Sequence, residues 1–184
     1  MKFSNSEEVT KRYVESNGYR VERFSKKEMR TEDNKTPDFK VYRGEDLSFY
    51  CEVKEIEDFP IEDYNGNIEF DKDEDKVHGL INKSCNHFLS VNPKHTVPNV
   101  LAIYNKRLGT DILDFKFAFE GKWITKGGSI YQRPNTAAYR RIETKKVNID
   151  LCLWYDENME KFTWMYLEDS IFLDKIKSLF SSES

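Results

Sequence analysis

The sequence predicts an α/β protein, with helices flanking a central mixed β-sheet and a C-terminal β-hairpin and helix closing the chain. Three observations carry this. Thr36 to Ile56 holds two apolar, aromatic-rich runs broken by Arg43-Gly44-Glu45-Asp46, the pattern of two strands and a turn. An amphipathic run over residues 74–91 leads into an apolar strand at Val97–Asn105, and a helix crossing between strands allows them to be parallel. Two further strand patterns, Val147–Tyr155 and Lys161–Leu167, precede a short amphipathic tail. The 184 residues suit a single domain over 1–180, with 181–184 as a tail.

The elements follow in order. Residues 4–17 read as a helix: Ser4 with Glu7 fits a capping box, Val9, Tyr13 and Val14 form an apolar stripe, and Asn17-Gly18 is a stop. Tyr19–Phe24 alternates as a strand, and the polar residues 25–35 read as a loop. Pro37 suits a strand start, where a missing N–H is tolerated. From Glu55 to Asp75 there are ten acidic residues against Lys72, which reads either as a solvated connection or as a flap over a site. The helix over 74–91 places Val77, Leu80, Ile81, Cys85, Phe88 and Leu89 at helical spacing and stops at Asn92-Pro93. Val97–Asn105 is apolar enough for a buried central strand. Near the end, Asp169 or Ser170 would cap a helix with Ile171, Phe172, Ile176, Leu179 and Phe180 on its apolar face.

Composition excludes several classes. A net charge of −4 is not that of a general nucleic-acid binder, so such binding needs a local patch. Cys51, Cys85 and Cys152 are scattered and odd in number, which argues against a disulfide framework or zinc site and for a reducing cytoplasm. No apolar run suits a membrane span, and the N-terminus lacks a signal-peptide apolar region. With no Gly-rich phosphate loop and no nucleophile motif, neither nucleotide-driven chemistry nor covalent catalysis is expected.

Three charges in the hairpin fall where a buried strand would not want them: Asp38, Glu52 and Lys54. Alternation puts Glu52 and Lys54 on one face of their strand. With a Gly44-Glu45-Asp46 loop, Arg43 pairs with Leu47 and Asp38 lies opposite Glu52, with Cβ atoms roughly 4.5–5.5 Å apart. A loop of even length turns Asp38 to the other face. Two carboxylates that close repel unless something positive lies between them, and a hard cation such as Mg²⁺ takes oxygen ligands.

The order helix, strand, hairpin with Pro37-Asp38 and Glu52-Val53-Lys54, helix, strand resembles the PD-(D/E)XK nuclease superfamily, the restriction-endonuclease-like fold. Gly18-Tyr19-x-Val21 after the first helix is similar to these proteins as well. The resemblance covers roughly residues 4–105 and leaves 106–180 unassigned. It implies that Asp38, Glu52 and the Val53 carbonyl hold Mg²⁺ or Mn²⁺, and that Lys54 orients the attacking water or stabilises charge on the phosphate. Glu7 matches the position of an additional glutamate in family members, with Glu8 as its alternative; a capping-box acid is the plainer role for Glu7. A polar residue on the helix after the Glu-x-Lys strand has two candidates, Lys83 and His87. The implied activity is metal-dependent hydrolysis of phosphodiester bonds in DNA, by a homodimer or beside a partner subunit if both strands are cut.

The segment Asn105–Lys146 reverses the overall charge, with ten Lys or Arg against four Asp or Glu, and interleaves aromatics. Lys126, Arg133, Arg140, Arg141, Lys145 and Lys146 read either as a grip on the nucleic-acid backbone or as ordinary surface over core aromatics. A catalytically inactive nucleic-acid- or protein-binding module on the same fold is the alternative function.

Overall fold

The computed structural model describes residues 3–25, 28, 35–57, 70–107, 110–124, 130–132, 140 and 142–180. The chain runs α1 (Asn5–Ser16), β1 (Arg20–Arg23), β2 (Phe39–Arg43), β3 (Asp46–Ile56), α2 (Phe70–Val91), β4 (Asn99–Asn105), α3 (Ile112–Glu120), β5 (Lys122–Ile124), β6 (Ile130–Gln132), β7 (Leu151–Asp156), β8 (Lys161–Tyr166) and α4 (Leu173–Lys177). A mixed six-stranded sheet orders them β1-β2-β3-β4-β7-β8, and β5 with β6 forms a separate hairpin. The inner strands β3, β4 and β7 are parallel; β1, β2 and β8 join antiparallel.

Local chemistry sets the helix ends. Ser4 and Glu7 form the expected capping box on α1. The helix α3 was not anticipated: Phe115, Phe117 and Phe119 alternate like a strand. It is held by a second capping box, Asp111 with Asp114, and ends at Gly121, whose φ of 70° is left-handed. Helix α2 begins at Phe70, four residues before the expected start. Strand β7 begins at Leu151 rather than Val147, because Lys146–Asn148 form a 3-10 turn.

The two sheet faces bury two cores. On one, α1 and α4 cover Phe39, Val41, Phe49, Cys51, Val53 and Val100. On the other, α2 and α3 cover Leu101, Ile103, Cys152 and Trp154. β4 is buried along its whole length, as its apolar composition predicts. All three cysteines are buried and free, and burial pushes their thiols up, Cys85 to about 12, which makes them poor nucleophiles.

A buried carboxylate ties the amino-terminal ends of β4 and β7 together. Asp150 Oδ2 accepts from the Asn99 N–H (2.7 Å) and from His95 Nε2 (2.7 Å), and Oδ1 accepts from the Ser170 hydroxyl. Each Asp150 carboxylate oxygen thus has a donor, so its burial is compensated. No helix among the described residues is long and apolar enough to cross a membrane.

Candidate active site

The hairpin β2–β3 positions the candidate site, and its register differs from the expectation in detail. Arg43 pairs with Asp46, not Leu47, across a two-residue turn. Gly44 opens that turn at φ 62°, a conformation glycine adopts at little cost. An even turn alone would put Asp38 and Glu52 on opposite faces. The register then shifts: Tyr42 faces Leu47 while Val41 faces Phe49, which leaves Ser48 as the extra residue of a β-bulge. From there Lys40 faces Tyr50 and Phe39 faces Cys51. One step further, Asp38 comes opposite Glu52.

Alternation does the rest. Phe49, Cys51 and Val53 point into the α1 core, so Tyr50, Glu52 and Lys54 point toward α2. Glu52 is 1% exposed. Its Oε1 accepts from the Lys54 ammonium and from His87 Nδ1 (2.8 Å), while Oε2 is buried with no partner. Asp38 stands just before β2 begins, and its Oδ2 accepts from the Val53 N–H at 2.7 Å. The Val53 carbonyl points the same way as its N–H, toward the side of β3 that β2 has left.

The electrostatics show a deficit of positive charge. Burial raises the Asp38 carboxyl to about 7, with the Glu52 charge adding to the rise. The Val53 N–H and the Lys54 ammonium pull it down, and Glu7 pushes it up slightly. Buried Glu52 with an unpaired oxygen, facing a carboxylate that hesitates to ionise, is the arrangement a cation would relieve. Asp38, Glu52 and the Val53 carbonyl are oxygen donors, which suits Mg²⁺ or Mn²⁺. Among the described residues no three His, Cys, Asp or Glu side chains come together as a metal-holding group.

The remaining residues named from the sequence divide. His87 joins the site directly, through its bond to Glu52. Lys83 is exposed on α2. Glu7 is close enough for its charge to act on Asp38, yet its Oε2 is taken by the Ser4 N–H (2.6 Å) and the Arg23 guanidinium. Glu8 pairs with Arg12 at 3.1 Å along α1. Arg23 was missed from the sequence, although the alternation of β1 places its side chain on the covered face with Val21.

Of the basic residues, Lys126, Arg133 and Arg141 lie outside the described residues. Arg140 is exposed. Lys145 bonds Asn86 (2.9 Å) and Asn82 (3.2 Å) of α2, and Lys146 bonds the Phe119 carbonyl (2.9 Å) and lies over its ring. These two ammonium groups fasten the segment before β7 onto α2 and α3. Comparison with protein-family models, curated proteins and solved structures found no significant match to the chain.

Proposed function

We propose that the protein is a divalent-metal-dependent nuclease that hydrolyses phosphodiester bonds in DNA, on a restriction-endonuclease-like core. The observation that carries the reading is the buried Glu52 oxygen without a partner, opposed to an Asp38 carboxyl whose pKa burial raises to about 7. The order α1-β1-β2-β3-α2-β4, with both acids on the inner face of one hairpin, supports the same reading.

In this reading Asp38, Glu52 and the Val53 carbonyl hold Mg²⁺ or Mn²⁺. Such an ion lowers the pKa of bound water and neutralises charge on the phosphate. The chain's own residues prepare that chemistry. The Val53 N–H fixes one Asp38 oxygen and leaves the other to face the site. His87 holds Glu52 Oε1, so that Oε2 is the oxygen presented. Lys54 lies one pleat beyond Glu52 on the same face, where its ammonium can exchange the carboxylate for a phosphate oxygen or orient a water.

The test is cleavage of plasmid, single-stranded, branched and RNA substrates with Mg²⁺ or Mn²⁺, beside the Asp38→Ala and Lys54→Ala variants. Metal-dependent cleavage of DNA that falls about 10²–10⁴-fold in each variant is the expected result. Activity surviving both substitutions removes this site assignment. A second reading, a silent binding module, draws on Glu7 being occupied by Arg23 and on Lys145 and Lys146 being used in packing. Nucleic-acid or protein binding without cleavage under either metal would favour it.

A further inference from the structure

The six-stranded sheet ends in two unlike edges. At one end β1 is four residues long, and three of them are Arg20, Glu22 and Arg23. Arg20 pairs with Glu22, and Arg23 with Glu7. A short, charged edge resists pairing with another strand. At the other end β8 reads Lys-Phe-Thr-Trp-Met-Tyr. It has no Pro, no Gly and no bulge, one charge at its start, and Trp164 exposed. Among the described residues no strand lies outside it.

The backbone fixes which β8 groups lack a ladder partner. The Leu167 N–H donates to the Asp150 carbonyl, one step beyond the Leu151–Tyr166 pair. Hydrogen-bonding direction alternates along a strand, so Lys161, Thr163 and Met165 also face β7. The N–H and C=O of Phe162, Trp164 and Tyr166 therefore point outward. The same three side chains share the α1 and α4 face, where Phe162 stacks on Tyr13 and the Trp164 indole donates to the Tyr166 hydroxyl (2.9 Å).

From this geometry we propose that β8 is a dimer interface, at which two copies of the chain pair β8 to β8 antiparallel about a two-fold axis at Trp164. The occupant follows from self-complementarity. A two-fold axis normal to the sheet requires opposed residues to share a face, and an axis at Trp164 sets Phe162 opposite the second copy's Tyr166 and Trp164 opposite its own counterpart. Every outward N–H and C=O of the three residues then finds a partner. The cross-strand neighbours are all aromatic, a favourable pairing, and the two Lys161 side chains stand at opposite ends. The sheet becomes continuous across twelve strands. Pairing of this length buries less than the roughly 1,200–2,000 Å² of a standard interface, so the dissociation constant is expected on the order of micromolar. The inference is independent of the proposed nuclease activity.

Sedimentation equilibrium of the full chain, from about 1 to 200 µM, reads it directly. A monomer–dimer equilibrium is expected. Trp164→Lys sets two ammonium groups opposite one another and should weaken the dimer at least about tenfold. Trp164→Thr, which keeps strand propensity, should weaken it less, with unfolding midpoints confirming that both variants fold. Hydrogen exchange of the wild type supplies a second reading: the Phe162, Trp164 and Tyr166 amides should slow with rising concentration. A monomer throughout the range, a dimer indifferent to Trp164→Lys, or fast exchange at those amides in the dimer would each overturn the proposal.

Discussion

Two buried acids, each bonded to a histidine, flank the amino-terminal end of β4: Glu52 opposite Leu101 on the β3 side, Asp150 beside Asn99 on the β7 side. Glu52 accepts from His87 at 2.8 Å, and Asp150 accepts from His95 at 2.7 Å. Both are almost inaccessible to water. Their surroundings differ in completeness. Each Asp150 oxygen has a donor: Ser170 on one, the Asn99 N–H and His95 on the other. Glu52 has Lys54 and His87 on one oxygen and nothing on the other, with Asp38 facing it. A satisfied buried carboxylate rigidifies a fold, whereas an unsatisfied one among like charges costs stability unless a ligand completes it. Burial and a histidine partner are therefore not what separates a pin from a site; the unpaired oxygen is.

The largest effect should come from Glu52→Gln. The amide oxygen can still accept from Lys54 and His87, but the buried charge is gone. Cleavage should fall about 10³-fold, while stability stays level or rises by about 1 kcal/mol. Asp150→Asn should do the opposite. Its amide nitrogen would face a donor, and unfolding in urea should show a loss of about 2–3 kcal/mol, with the proposed cleavage retained by the fraction that stays folded. If Glu52→Gln unfolds the protein and Asp150→Asn does not, the two roles have been exchanged.

Next in size is a pH effect confined to the Asp38–Glu52 pair. Without divalent cations, the folded-state pKa of Asp38 is about 7, against an ordinary 3.8. The folded state then binds the extra proton between those values. This contribution to stability is full below about pH 4 and is lost as pH rises through about 7, a change of about 2–4 kcal/mol. Asp38→Asn should flatten that slope. Millimolar Mg²⁺ should raise the unfolding midpoint more at pH 8 than at pH 5, because the ion competes with the proton. Equal shifts at both pH values would speak against a cation held by Asp38.

The smallest effect separates Glu7 from the site. Glu7→Gln weakens the α1 cap and the Arg23 bond, so stability should drop by about 1 kcal/mol. Cleavage should change less than about tenfold, in contrast to Glu52→Gln. A loss matching that of Glu52→Gln would make Glu7 a ligand after all.

Much of this frame is legible in the chain because it depends on local rules. The Ser4–Glu7 box, the apolar run of β4 and the stop at Asn92-Pro93 are patterns of neighbours, and the structure has each of them. α3 was hidden because its three phenylalanines alternate, although Asp111, Asp114 and Gly121 carried the helix-end signals. The partners of Glu52 were half legible: Lys54 shares its strand, and His87 is on the next helix. The Asp150 cluster was not legible, since His95, Asn99, Asp150 and Ser170 meet only when β7 lies beside β4. Lys145 and Lys146 look like a nucleic-acid grip in sequence, but their nitrogens are directed at α2 and α3 by a turn that charge counting does not see.

The bulge at Ser48 has a consequence for how this chain tolerates change. A strand has a reading frame of two, and the β2–β3 turn sets that frame to the wrong phase; the bulge at Ser48 restores it. A feature of the backbone with no part in the chemistry thereby decides whether the two acids meet. Were Ser48 drawn into regular pairing with Val41, Asp38 would stand opposite Cys51 and face away from Glu52. Deleting Ser48 outright would instead close the ladder with Asp38 still opposite Glu52, because the bulged residue is the one without a partner. The meeting of the two acids therefore tolerates loss of the extra residue, but not loss of the bulge while that residue remains.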